Sequence, residues 1–244
     1  TGLYRFDQQF LAGGSFSNWV GLLKENGGVD LRYWTRLLYI SAAALLGVPF
    51  RAYERAKFGT LVKYTEIQEP PVFILGHWRS GTTYVQRLMA QNPAFAVVTF
   101  IHTMIPGLFL TSNLFKSILR VSLPETRPMD NVPIGPEFAE EEEYALGNLG
   151  PYSFYHALSF PRRMREIFDR YVLFENAFVV YNSTINWLDK EMVPTALQDV
   201  DAETIREAAL TNYEKLMRKY LDERALIPEG NLVEVRFEDV EAHP

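Results

Sequence analysis

Residues 71–83 read Pro-Val-Phe-Ile-Leu-Gly-His-Trp-Arg-Ser-Gly-Thr-Thr, and this stretch decides the fold that the sequence predicts. Val72–Leu75 is an apolar run of strand-forming residues, which is the pattern of a β-strand buried on both faces. Gly76 and Gly81 bracket a short loop, and Thr82 opens a helical pattern. A strand, a glycine-bracketed loop and a helix start form a phosphate cradle, because backbone amides and the helix N-terminus both favour an anion.

The side chains of this loop also suit a phosphate. Ser80, Thr82 and Thr83 carry hydroxyl donors, and Arg79 is a permanent cation with a forked donor array. A Walker A loop has Lys directly after its second glycine, whereas here that place is Thr82 and the cation lies inside the loop. The alternative is an ordinary strand-to-helix turn with incidental glycines. The coincidence of strand, glycines, cation and hydroxyls favours a nucleotide-phosphate site.

The displaced cation followed by Ser-Gly-Thr-Thr resembles the 5′-phosphosulfate loop of sulfotransferases that use 3′-phosphoadenosine-5′-phosphosulfate (PAPS), in the bacterial-type branch that has Arg where the cytosolic enzymes have Lys. Three further segments resemble this family: Arg-Pro-Met-Asp-Asn-Val (127–132), the Glu-rich stretch before Tyr144, and Glu234–Val240. The resemblance implies an α/β, P-loop-type three-layer fold, a central parallel sheet flanked by helices. It also implies sulfuryl transfer from PAPS to an alcohol, phenol or amine, with adenosine 3′,5′-bisphosphate as the product.

Length and composition limit the number of domains, the cofactors and the partners that the chain is expected to have. The chain has 244 residues, a net charge of −6 and no cysteine, so we expect a single sulfotransferase domain over residues 1–244 without disulfides or Cys-based metal sites. The negative charge and the lack of a basic run argue against a nucleic-acid partner. No ligand cluster with metal spacing is present, and the expected chemistry needs no metal. No signal peptide is visible, which predicts a cytoplasmic location. The oligomeric state is not predicted.

The order of elements along the chain predicts where a ligand would bind. Ala94–Ile101 is expected to form a second strand parallel to the first, since a helix connects them by a right-handed crossover. Ligands in such sheets bind beyond the carboxyl ends of the strands, and His102 falls at that end. Three other elements are predicted: a helix over Asn113–Leu123, a helix over Ala202–Arg224 capped by Asp201, and a strand over Leu232–Phe237.

Residues 30–63 form a predicted N-terminal helical segment. A helix from Leu31 to about Val48 and an amphipathic helix over Arg51–Lys63 are expected. The apolar stretch of the first helix is too short to span a bilayer. It is either a core or interface helix or a membrane-surface helix, so residues 31–50 are a possible peripheral membrane contact. Together with the aromatic residues 148–160, which fit either a core or a pocket wall, this stretch favours a hydrophobic, amphiphilic or lipid-like alcohol as the acceptor.

The resemblance assigns roles to individual residues. Arg79 would bind the bridging and 5′-phosphate oxygens of PAPS, and the other cofactor contacts would come from His77, Trp78, Ser80, Gly81, Thr82 and Thr83. Ser183 matches the serine that binds the 3′-phosphate. Glu175 and Ala177, however, stand where the family has Arg and Pro. We therefore predict that the sequence joins two pieces across a missing stretch near 174–176.

An acceptor hydroxyl needs a base within hydrogen-bond reach. The candidates are His102, the carboxylates of residues 140–143 with Glu142 and Glu143 preferred, and, more weakly, His156. His102 is equally compatible with a structural role, and the acidic run with a solvated first helical turn. The alternative functions are a P-loop nucleotide kinase or NTPase, which Thr82 in the place of the Walker lysine disfavours, and a non-catalytic nucleotide-binding interaction protein.

Overall fold

The computed structural model describes residues 9–67, 69, 71–74, 76, 80–126, 132–171, 192 and 195–242. Within these residues the architecture is helical. The helices are α1 (Phe16–Glu25), α2 (Trp34–Tyr64), α3 (Thr82–Met89), α4 (Phe100–Met104), α5 (Lys116–Ser122), α6 (Glu143–Leu149), α7 (His156–Ser159), α8 (Met164–Tyr171), α9 (Ala202–Glu223) and α10 (Phe237–Ala242). Short 3-10 turns lie at Phe10–Gly13, Leu31–Tyr33, Pro106–Leu108, Ser112–Phe115, Pro161–Arg163 and Arg224–Leu226.

Several helix boundaries follow directly from local sequence signals. The Asp201 carboxylate accepts the Thr204 amide at 2.8 Å and caps α9, as predicted. Ser15 caps α1 in the same way, with the Asn18 amide donating at 3.1 Å. The two helices predicted at Leu31 to about Val48 and at Arg51–Lys63 form one continuous helix, α2. Pro49 lies inside α2, and the Arg51 guanidinium donates to the Ala44 carbonyl near this interruption.

The hydrophobic core is built from helices at the two ends of the described chain. Trp19 of α1, Ile40 of α2, Phe160 and Leu197 are buried together in one cluster. The Trp19 indole N–H donates to the Ser41 hydroxyl at 2.9 Å, which fixes α1 against α2. The core also contains Phe10, Leu11, Leu22, Tyr33, Tyr155, Ala157, Leu158, Met164, Ile167, Phe168, Met192, Ile205, Ala208 and Ala209.

The predicted central parallel sheet is wrong for the part of the chain that the structure describes. No strand occurs there, and only two isolated antiparallel bridges are formed, Thr99 with Ala139 and Thr126 with Pro133. In the run expected as the first strand, Val72 and Phe73 are exposed, Phe73 by 76%, and Ile74 is half-buried. A strand buried on both faces needs neighbours on its edges and its faces, and the helical core does not include this run.

The second and third predicted strands are corrected in the same way. The backbone after Val98 pairs antiparallel with another segment: the Phe100 amide donates to Phe138 O at 2.9 Å, and the Glu140 amide donates to Val98 O at 3.1 Å. The parallel crossover therefore does not form, and His102 lies inside α4 rather than at the end of a strand. Residues 232–236 form no strand, and Phe237–Ala242 form α10.

Candidate functional site

The start of α3 carries the described part of the predicted phosphate loop. Gly81 is the N-cap of α3 and has a φ of 91°, the left-handed conformation that glycine adopts without strain. The Gly81 carbonyl accepts from the Tyr84 amide at 2.9 Å and from the Val85 amide at 3.1 Å. The first amides of any helix, here those of Thr82 and Thr83, have no acceptor within the helix. They are the groups that would meet an anion at this end.

The two ends of the loop lie against each other. A Cβ added to Gly76 would come within 2.7 Å of the Ser80 hydroxyl oxygen and 2.6 Å of Thr82 Cγ2. A side chain at this position would therefore have to shift the Ser80 hydroxyl and the Thr82 methyl group. His77, Trp78 and Arg79, which complete the predicted loop, lie outside the described residues.

Gln86 links α3 to the acidic segment 140–143. Its side-chain amide donates to the Glu140 carbonyl at 3.1 Å, one helical turn after Thr82. The antiparallel pairing of the segments on either side of Thr99 and Ala139 holds the acidic segment in this position. The structure therefore brings the start of the acidic run beside the helix that follows the loop. Gln86 was not among the predicted site residues, although it shares a helix face with Thr82 four residues earlier.

The four glutamates of the acidic run have different surroundings. Glu140 is buried, and the Glu141 carboxylate accepts the buried Tyr155 hydroxyl at 2.8 Å. Glu142 is exposed and precedes α6. Glu143, in the first turn of α6, accepts the Phe154 amide at 3.2 Å. Burial raises the pKa of Glu143, while hydrogen bonds from Ser153 and Phe154 oppose that rise and the Glu141 charge adds to it.

His102 is a capping residue of its own helix. Its Nδ1 lies 3.4 Å from the Thr99 amide and 3.0 Å from the Thr99 hydroxyl, which forms a capping box at the start of α4. The imidazole stacks on Phe109 with ring centroids 4.1 Å apart. Burial and, to a smaller extent, Lys116 lower the pKa of His102. The lowered pKa favours the neutral ring, and the contact of Nδ1 with the Thr99 amide favours the tautomer whose proton is on Nε2.

His156, the weaker candidate, belongs to the core. It is 1% exposed and its Nε2 lies 3.0 Å from the Gly147 carbonyl. Burial lowers its pKa. These observations describe a structural histidine of the core, and none of them is a contact with α3.

The remaining predictions for the site are the 3′-phosphate residue, the missing stretch and the absence of a metal. Ser183 and the predicted break near 174–176 lie outside the described residues. Among the residues that are described, no group of three or more His, Cys, Asp or Glu side chains could hold a metal ion.

The similarity of the chain to known proteins includes this loop. Residues 70–131 match the model of the sulfotransferase family, so the resemblance to sulfotransferases is confirmed. The matched region contains the whole glycine-bracketed loop, α3 and α4 with His102.

Two curated relatives are similar over a longer region. Each is an omega-hydroxy-beta-dihydromenaquinone-9 sulfotransferase, one from Mycobacterium bovis and one from Mycobacterium tuberculosis, and each is 28% identical to this chain over 152 residues. The aligned region is 62% of this chain and 39% of each relative, so the chain spans well under half of their length. No solved structure shows a significant match to the chain.

Proposed function

We propose that this protein transfers a sulfuryl group from PAPS to a hydroxyl group of a lipid-like acceptor. The observation that carries this proposal is the Gly76–Thr83 loop, whose ends pack on each other and which enters α3 through a left-handed glycine, within the region that matches sulfotransferases. The lipid-like acceptor is supported by the two relatives, whose names give a hydroxylated menaquinone derivative as their substrate.

We assign the described part of the loop to the 5′ end of PAPS. The close contact of Gly76 with Ser80 and Thr82 brings two hydroxyl-bearing residues of the loop together. Ser80, Thr82 and Thr83 would donate hydroxyl and amide hydrogen bonds to the 5′-phosphate. In this proposal Arg79 binds the bridging oxygen and stabilises the negative charge on the leaving group.

The remaining donor contacts come from the family resemblance. Trp78 would lie near the adenosine or the acceptor, with His77 beside it in the loop. Ser183 would bind the 3′-phosphate.

We place the base at Glu143 rather than at His102. A base must offer a free lone pair to the acceptor hydroxyl, and the Nδ1 lone pair of His102 faces the Thr99 amide. Glu143 is a largely buried carboxylate whose pKa is raised towards the working range of a base. Its segment is held next to α3 by the hydrogen bond from Gln86 to Glu140.

The reaction is a single in-line displacement at sulfur. The acceptor oxygen gives its proton to the Glu143 carboxylate and forms a new bond to sulfur, while the bond from sulfur to the 5′-phosphate oxygen breaks. The products are a sulfate monoester and adenosine 3′,5′-bisphosphate. Positioning and electrostatic stabilisation supply the catalysis, as in phosphoryl transfer.

The proposal is tested by incubating the protein with sulfur-labelled PAPS and an omega-hydroxylated polyprenyl alcohol and measuring label in the lipid extract. We expect transfer by the natural protein and loss of most turnover in Arg79→Ala. Arg218→Ala is the matched control, since Arg218 is an exposed arginine that pairs with Glu214 in α9. Turnover by Arg79→Ala that equals that of the control would contradict the assignment.

A further inference from the structure

The longest helix, α2, presents an apolar face that no described element covers. Residues 34, 38, 42, 45, 49 and 53 recur every three or four positions and therefore lie on one side of the helix, and all six are exposed. Trp34, Leu38 and Leu45 are 52%, 65% and 51% exposed. The opposite side, with Arg36, Ile40 and Ala44, packs into the protein. We call the first set of residues the α2 face.

The α2 face is apolar in its first part and basic at its end, which suits contact with an anionic bilayer. Residues 37–50 contain no charged side chain. The same row continues through exposed residues 56, 60 and 63, so that the basic Lys63 follows the apolar part on one side of the helix. Lys57 lies beside it, with its ammonium 3.1 Å from the Tyr53 hydroxyl and 5.1 Å from the Phe58 ring centre. An apolar stretch continued by aromatic and basic side chains is the composition of a helix that lies in the headgroup region of an anionic bilayer.

The geometry excludes a spanning orientation for this helix. No helix in the described ranges is long and apolar enough to cross a membrane. Trp34 and Tyr53 stand at the two ends of the apolar part of the α2 face, and both side-chain types prefer the interface between headgroups and acyl chains. A helix with one packed side and one apolar exposed side buries that exposed side in a bilayer by lying flat.

Other sides of α2 contact the segment that connects α4 to α5. The Glu54 carboxylate accepts the amides of Leu110 and Thr111 at 3.0 and 2.9 Å, and Phe50 packs edge-on against Phe115 at 5.5 Å. These residues follow α4 and precede α5, whose Lys116 lies near enough to His102 to lower its pKa. α2 therefore packs against the segment that connects α4 to α5, within the region that matches sulfotransferases.

We propose that the α2 face docks the protein on the surface of an anionic lipid bilayer, from which a lipid-like acceptor reaches the site. The acceptor part of this inference rests on the proposed function, whereas the docking part does not. Apolar burial supplies one contribution to binding, and Lys57 and Lys63 supply the preference for anionic lipid.

The test is cosedimentation of the full chain with vesicles of phosphatidylcholine alone or of equal amounts of phosphatidylcholine and phosphatidylglycerol. We expect binding that is stronger to the anionic vesicles. Leu38→Glu combined with Leu45→Glu should lower the partition coefficient at least about tenfold, because two apolar side chains no longer enter the interface. Lys57→Glu with Lys63→Glu should remove the preference for phosphatidylglycerol.

The control is Leu210→Glu combined with Leu226→Glu, which adds the same charge at leucines that are 50% and 78% exposed on and after α9. This variant should bind vesicles like the natural protein. Circular dichroism and thermal unfolding verify that each variant is folded. Equal binding by the Leu38/Leu45 variant would overturn the proposal. It would also be overturned by a natural protein that ignores vesicles and instead forms a dimer broken by that variant, because a second copy would then cover the face.

A separate assay distinguishes failure of this inference from failure of the proposed function. Sulfuryl transfer from PAPS to a short, water-soluble alcohol without vesicles reports the active site alone. We expect the Leu38/Leu45 variant to retain that transfer and to lose transfer to a polyprenyl alcohol carried in vesicles. Loss of both transfers in a variant that stays folded would contradict a role confined to docking.

Discussion

Replacing Gly81 by alanine tests the loop conformation on which the donor site depends. Gly81 has a φ of 91°, and an alanine held in that conformation costs about 1–2 kcal/mol. Gly230 provides a matched control, since its φ is 84° and an added Cβ there meets no heavy atom within 4 Å. Both variants should lose about 1–2 kcal/mol of unfolding free energy, which for a chain of this size lowers Tm by about 2–4 °C per kcal/mol.

Only the Gly81 variant should also lose affinity for the donor nucleotide. If the alanine in Gly81→Ala relaxes to a negative φ, the amides of Thr82 and Thr83 no longer converge on the phosphate. A hydrogen bond to a charged group contributes about 1.5–3 kcal/mol, so losing the alignment of one should raise the Kd for adenosine 3′,5′-bisphosphate by about ten- to a hundredfold. Isothermal titration calorimetry on the natural protein, Gly81→Ala and Gly230→Ala measures this difference.

Two results would refute the reasoning about the loop. An unchanged Kd in Gly81→Ala would show that the start of α3 does not bind the nucleotide. An equal rise of Kd in Gly230→Ala would show that any loss of stability weakens binding, so that the effect does not report the loop.

Two further predictions concern the base and the core. Glu143→Gln should lower kcat by about a hundredfold or more. The kcat of Glu142→Gln and of His102→Ala should stay within severalfold of that of the natural protein. In the natural protein kcat should fall as the pH drops through the raised pKa of Glu143, because only the ionised carboxylate accepts a proton. Initial-rate kinetics against pH decide this, and a pH profile that survives in Glu143→Gln would contradict it. Phe160→Ala, which empties a fully buried position in the helical core, should lower the unfolding free energy by about 3–5 kcal/mol, whereas Leu226→Ala at an exposed position should change it little, as measured by chemical denaturation.

The helical parts of the fold could be predicted from the sequence because their signals are local. Asp201 before apolar residues spaced at the helical period predicted the start of α9. Gly81 before Thr82 and Thr83 predicted the start of α3. Both helix starts are observed. The cap residue and the helix that it starts are neighbours in sequence, so no tertiary information is needed.

The sheet could not be predicted reliably because burial of a strand depends on its partners. An apolar run such as Val72–Leu75 has the same composition whether it is packed between helices or exposed. Val72 and Phe73 of this run are exposed. The backbone near Thr99 pairs with residues near Ala139, about 40 positions away. Nothing in the local pattern of either segment specifies that pairing.

The candidate site shows the same division. The residues of the loop are contiguous and carry a recognisable pattern, whereas the contact that brings the acidic segment to α3 joins Gln86 and Glu140, which are 54 residues apart. The sequence also cannot reveal that His102 Nδ1 faces the Thr99 amide. That contact, together with the raised pKa of Glu143, changes the preferred base from the imidazole to the carboxylate.

The most direct test of the central claim is to identify the group that the protein transfers. The natural protein is offered a polyprenyl alcohol together with PAPS and ATP, with and without Mg²⁺, and mass spectrometry identifies the lipid product. A sulfate monoester formed without Mg²⁺ is the predicted result. A phosphate ester that requires Mg²⁺ would contradict it and would make the protein an ATP-dependent kinase of the alcohol.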